Sequence, residues 1–150
     1  MKNYLVTAII TISSMAFFST AAIAQCNSST FIKKKCIPKI QPFTQSGQII
    51  TNKLSSEQKT ELKLTFSSGQ DYRILICSEE LLGDVSFRVR DVMGKIIFDS
   101  KDHDYPDFWD FKVISTQQFI VDVSVPPSDS PSSIPPTGCV SIIIGFKKSL

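Results

Sequence analysis

The chain has one histidine, His103, no C-x-x-C pair among its four cysteines and no Gly-x-Ser-x-Gly segment. The usual marks of a zinc or redox site and of a nucleophile elbow are therefore missing. Lys and Arg number 16 against 14 Asp and Glu, a net charge of +2. That balance excludes the strongly basic footprint of a nucleic-acid binder. Beyond residue 24 no apolar run approaches the roughly 20 residues that cross a bilayer, so no transmembrane segment is expected. After residue 60 the apolar residues hold no 3.6-residue stripe, and long helices are not expected there. The composition, 42% hydrophobic over 150 residues, is that of an ordinary globular domain.

The first segment reads as an address. Lys2 precedes an apolar stretch from Tyr4 to Phe18, and Ala22-Ile23-Ala24 is a small-x-small cleavage pattern before Gln25. Residues 1–24 are thus read as a signal peptide, cleaved near Ala24, and the product as secreted or periplasmic. Lipidation of Cys26 is the rival, but Gln25 stands where a lipoprotein signal carries a small residue. It would also leave an odd thiol among Cys26, Cys36, Cys77 and Cys139. Four cysteines allow three pairings. The expected one is Cys26–Cys36, closing a small loop around Lys33-Lys34-Lys35, with Cys77–Cys139 tying a middle strand to the last.

Three regions follow from composition: the signal at 1–24, a basic segment at 25–60, and a core at 61–150 that forms one domain with it. Residues 25–60 carry six lysines against Glu57 alone, a net of +5. Residues 61–122 invert this, with twelve acids against seven bases. The asymmetry fits a basic strap on an acidic face or two faces with different partners, although solvated charges are the plainer account. The core alternates with period two, as strands with one buried face do. Its inward sets are Leu62, Leu64, Phe66; Tyr72, Ile74, Ile76; Val85, Phe87, Val89; Trp109, Phe111, Val113; Phe119, Val121, Val123, Val125; and Val140, Ile142, Ile144, Phe146. Ile96-Ile97-Phe98 returns from a hairpin turn at Asp91 to Lys95. These patterns predict an all-β antiparallel sandwich of seven to eight strands, of jelly-roll or Ig-like topology. Five prolines between Pro126 and Gly138 predict a loop before the last strand.

Several groups are candidates for chemistry. Asp99, Asp102, Asp104, Asp107 and Asp110 around His103 supply oxygen ligands of the kind calcium takes, without the Gly and terminal Glu of an EF-hand. No other cofactor is indicated. Asp102, His103 and Asp104 form a candidate set for a small hydrolase, as an oriented general base lacking an evident nucleophile. Glu79 and Glu80, being adjacent, point to opposite sides of an extended chain and make a poor glycosidase pair. Lys33, Lys34 and Lys35 are a candidate polyanion contact. Tyr105, Phe108 and Trp109 are candidates for a sugar shelf, with Trp109 assigned by alternation to the core.

The segments Tyr72–Ile76, Asp84–Asp91, Gly94–Phe98 and Phe119–Val123 join an alternating strand, a short Asp/Gly hairpin and a return before an aromatic-led strand. In this the chain resembles the pre-peptidase C-terminal type of bacterial secreted β-sandwich. The Gly138-Cys139-Val140-Ser141 opening of the last strand is similar to that of small uncharacterised Gram-negative envelope proteins. The resemblance covers about half of the chain after the signal and implies a noncatalytic ligand-binding or packing module of the kind that accompanies a secreted enzyme; the partner expected for this chain is an envelope protein or glycan. No functional residue is carried over, and a free-standing module without a protease domain is expected. The alternatives are the hydrolase and a structural subunit joined through an exposed strand edge.

Overall fold

The computed structural model describes Cys26 and residues 29–129, 131 and 133–149; the signal-peptide reading lies outside the described residues. Eight strands form two four-stranded antiparallel sheets. They are β1 (Thr44–Ser55), β2 (Lys59–Phe66), β3 (Gln70–Ser78), β4 (Ser86–Asp91), β5 (Ile96–Asp99), β6 (Phe108–Val113), β7 (Gln117–Ser124) and β8 (Thr137–Lys148). One sheet runs β1-β8-β3-β6 and the other β2-β7-β4-β5. This is the strand order of a jelly roll, two interleaved Greek keys, rather than that of an Ig domain. The inward sets meet between the sheets, where Phe66, Phe87, Ile74, Val89, Val121, Val123 and Ile142 are fully buried.

The β1-β8-β3-β6 sheet is covered on its outer face as well. A helical strap, 29–40, winds through α-helical turns at Ser29–Phe31 and Ile37–Ile40 on either side of a wider turn at Ile32–Cys36. Ile32, Cys36 and Ile40 recur every fourth residue, which keeps them on one side of the strap, and all three are buried. Cys36 and Ile40, with Phe43, build a second core against Leu75, Cys77 and Ile143, the outward residues of β3 and β8. Gly145 permits the close approach. A Cβ there would lie 2.7 Å from Phe43 Cβ and 2.8 Å from Ile40 Cγ1.

The disulfide pairing differs from the expected one. Cys36 bonds Cys77, locking the strap to β3, and Cys26 bonds Cys139 at the start of β8. The expected Cys26–Cys36 and Cys77–Cys139 bridges are not formed. Cys36 faces inward from the strap and Cys77 outward from β3, so the two meet in the second core rather than each serving its own region.

Candidate functional site

The acidic segment around His103 is not a convergent ligand set. Asp99 ends β5, pairs with Arg88 at 2.8 Å and caps the short turn Ser100–His103 by accepting from the Lys101 N–H. Asp107 pairs with Lys39 of the strap, and Asp110 takes the Arg73 guanidinium through two 2.7 Å bonds. Asp102 and Asp104 are exposed on the turn. Among the described residues, no three His, Cys, Asp or Glu groups stand close enough to hold one ion. His103 is exposed and stacks on Phe98 at 5.0 Å, its ring within 4° of parallel. Phe98 stacks on Trp109 and Trp109 on Phe111, so the imidazole caps an aromatic column that enters the core.

The other candidates are dispersed. Lys33, Lys34 and Lys35 lie on the solvent side of the strap, where Lys35 pairs with Glu80. Both partners of that pair are largely exposed, so it contributes little to stability. Glu79 accepts the Cys139 N–H at 2.9 Å. Trp109 faces the core, as alternation predicts, whereas Phe108 points outward and lies over Arg73, 3.9 Å from its guanidinium carbon. Tyr105, like Phe108, is exposed, displayed by left-handed backbone at Asp104 and Tyr105.

Two features at the second sheet were not anticipated. The first is its bare outer face. One residue from each strand, Glu61, Asp122, Arg88 and Asp99, forms a row in register across β2, β7, β4 and β5. Arg90 bonds Asp122 and Glu61 from the neighbouring row, and the Asp122 hydrogen bond holds its guanidinium still more firmly protonated. Above this floor lies an open groove of about 1060 Å³, bordered by the 126–129 loop, Gly83-Asp84 and Tyr105.

The second is the apolar exposure of the β4–β5 hairpin, whose turn at Asp91 to Lys95 is as expected. That turn is tied tightly, because the Asp91 side chain accepts from the N–H groups of Met93 and Lys95, both at 2.9 Å, and Gly94 supplies the positive φ. Yet the hairpin leaves Val92 54%, Met93 88%, Ile96 51% and Ile97 40% exposed. The signal was available in the sequence, since Val92-Met93 places two apolar residues where turn chemistry favours polar ones.

No family model matches the chain, and no curated protein matches it. Among solved structures it is similar to Aeromonas hydrophila PliG, a periplasmic lysozyme inhibitor of g-type lysozyme. The two are 10% identical and superpose with a TM-score of 0.47 over 71% of this chain and 89% of that one.

The Asp99 carboxyl gives a testable pH dependence. Burial alone would raise it, but the hydrogen bonds from Arg88 and the Lys101 N–H, with their charges, outweigh burial and hold it below its ordinary value of 3.8. A lowered carboxyl stabilises the fold above the unfolded-state value and loses that contribution as pH falls through the folded one. Asp99→Asn keeps an oxygen that can accept the Lys101 N–H, so it is expected to cost about 1–2 kcal/mol at neutral pH for the charged hydrogen bond to Arg88 alone. In urea titrations the gap between wild type and variant should close below about pH 4. A gap that does not change with pH would mean that the charge of Asp99 contributes nothing.

Proposed function

We propose that this chain is an exported, noncatalytic binding module of the bacterial envelope that grips a protein partner with the β4–β5 hairpin. The carrying observation is that Val92, Met93, Ile96 and Ile97 are all exposed on one hairpin braced by Asp91. Single apolar residues are common on protein surfaces, but four within six residues of a tied hairpin favour an interaction site. A braced hairpin binds without a large ordering cost. β5 pairs with β4 alone, so its outer edge keeps backbone donors and acceptors for an added strand. Two disulfides support an oxidising compartment, secreted or periplasmic.

The test is capture from envelope extract on immobilised wild type and on a Met93→Asp, Ile96→Asp double variant. Both positions are exposed, so the variant's melting curve should match wild type closely. The expected result is a protein retained by wild type and reduced about tenfold or more by the variant, the scale of losing buried apolar anchors. Equal retention by both would overturn the hairpin assignment.

A further inference from the structure

The inter-sheet core is not filled to its edge. β1 and β2 are the outermost strands on one side of the sandwich, held together where Asn52 Nδ2 donates to Thr60 Oγ1 at 3.1 Å. Farther along this edge a cavity of about 580 Å³ opens among Ile50, Leu64, Phe66, Tyr72, Ile144 and Phe146. Its cause is a bulge in β1. Ser46 stands opposite Ile144, but Ile50 rather than the residue two positions on stands opposite Ile142, so β1 carries two extra residues there. Gly47 takes φ +66° in the bulge, and a Cβ built on it would meet nothing within 4 Å. Ser46 lines the cavity with a hydroxymethyl group alone, so β1 sends no large side chain across this stretch.

Two properties of the wall select a ligand. No Asp, Glu, Lys, Arg or His lines the cavity, in a chain of which 20% is charged. An ion placed inside would lose its hydration without gaining a partner. The second property is a spare donor. Tyr72 is only 6% exposed, and its Oη accepts from the Ser67 N–H at 3.0 Å, yet its own O–H meets no acceptor among the described residues. Buried tyrosine hydroxyls ordinarily find a partner. Ser67 is exposed, so the bond to it places this donor at the rim of the cavity.

We propose that the cavity binds a neutral monoacyl lipid, its chain between the sheets and its carbonyl oxygen accepting from Tyr72 Oη. This goes beyond the hairpin reading and does not depend on it. Mostly apolar walls with a few polar groups that fix orientation are the usual make-up of small-ligand sites of about 300–1,000 Å³. A cavity of about 150 Å³ already holds benzene, so a single ring would leave most of this one empty. Thr65 and Gln70 give the rim an uncharged polar surface for a hydroxyl-bearing head group. A free fatty acid would bring a carboxylate to a lining that holds no cation.

Isothermal titration calorimetry with monoacylglycerols from hexanoyl to tetradecanoyl, each below its aggregation concentration, is the test. One-to-one binding is expected, tightening about fourfold for each added methylene until the cavity is full and levelling off thereafter. Laurate should bind about tenfold more weakly than monolaurin, or worse. Tyr72→Phe keeps the ring, removes the donor and should weaken monolaurin about fivefold. Ser46→Trp should fill the space from β1 and abolish binding, whereas the Met93→Asp, Ile96→Asp variant should bind as wild type does. Melting curves establish that each variant is folded at the titration temperature. If Ser46→Trp does not fold, the chain-length limit and Tyr72→Phe decide the matter. Affinity that climbs through tetradecanoyl without levelling, or that survives Ser46→Trp, would overturn the cavity as the site. Loss of binding in the hairpin variant would do the same, by placing the lipid on the exposed apolar hairpin. Unchanged affinity in Tyr72→Phe would overturn the carbonyl contact, and equal binding of laurate the neutral head group. No binding at any chain length would overturn the proposal as a whole and leave the hairpin reading untouched.

Discussion

Replacing Cys36 and Cys77 together by alanine is expected to lower the unfolding free energy by about 4 kcal/mol, the chain-entropy value for a closed loop of this size. The bridge spans 41 residues of sequence and joins two side chains that are 0% and 4% exposed. Its loss should be felt unevenly. The inter-sheet core holds no residue of the strap, whereas the second core is built by the strap against β3 and β8. Amides of 29–43 should therefore exchange with solvent well before those of β4 and β7, since local opening needs only the contacts of the strap to fail. Urea denaturation and hydrogen exchange together check this. A loss below about 1 kcal/mol would show that Ile40 and Phe43 hold the strap without the sulfur bridge.

The second large effect is expected at Arg73, which is 9% exposed. Its guanidinium bonds Asp110 twice, at 2.7 Å each, and donates to the carbonyls of Lys39 and Gln41 at 2.8 and 2.9 Å. Phe43 and Phe108 lie over it at 4.8 and 3.9 Å. One side chain thus ties the end of the strap to edge strand β6. Arg73→Ala should cost about 3 kcal/mol, the low end for breaking a buried pair, because Asp110 is 42% exposed and regains water. Arg73→Lys should recover only part of this, since an ammonium lacks the planar fork that satisfies a carboxylate and two carbonyls together. The comparison is made by urea denaturation of the two variants. If lysine restored full stability, charge alone would account for the role of Arg73.

The sandwich was legible because its inter-sheet faces follow period two so closely. Leu62, Leu64 and Phe66, then Phe87 and Val89, then Val121 and Val123 all point inward as alternation requires. Charge asymmetry suggests a basic strap but not its helical form, although the evidence for that is in the sequence. Ile32, Cys36 and Ile40 recur every fourth residue, the helical spacing, within a stretch whose lysines dominated the reading. Tyr72 to Cys77 and Val140 to Ile144 are nearly continuous apolar runs, the mark of strands covered on both faces. The lone charge in the first run, Arg73, signals a buried partner. Strand β1 was also missed, because Thr44–Ser55 is mostly polar and finds its place by pairing with β8. Pairing of the cysteines depends on which side of the sheet each one faces, and that follows only once the strap is placed.

The candidate site was less legible for a related reason. Residue type drew attention to the acids around His103, yet Asp99, Asp107 and Asp110 are spent on Arg88, Lys39 and Arg73. Jelly-roll order brings Glu61, Asp122, Arg88 and Asp99 into one row from four separated strands, and no local spacing reveals that. The charge inversion between 25–60 and 61–122 in part reflects a real geometry. The strap lies on one sheet, with Lys35 and Lys39 meeting Glu80 and Asp107.

Hydroxyl-radical footprinting of the full chain, alone and in envelope extract, tests most directly whether binding uses the β4–β5 hairpin. Met93 is the sensitive reporter, being 88% exposed and readily oxidised. The account predicts that extract protects Met93 while residues of the strap keep their reactivity. Protection confined to the strap, with Met93 oxidised as fast as in the isolated chain, would contradict it.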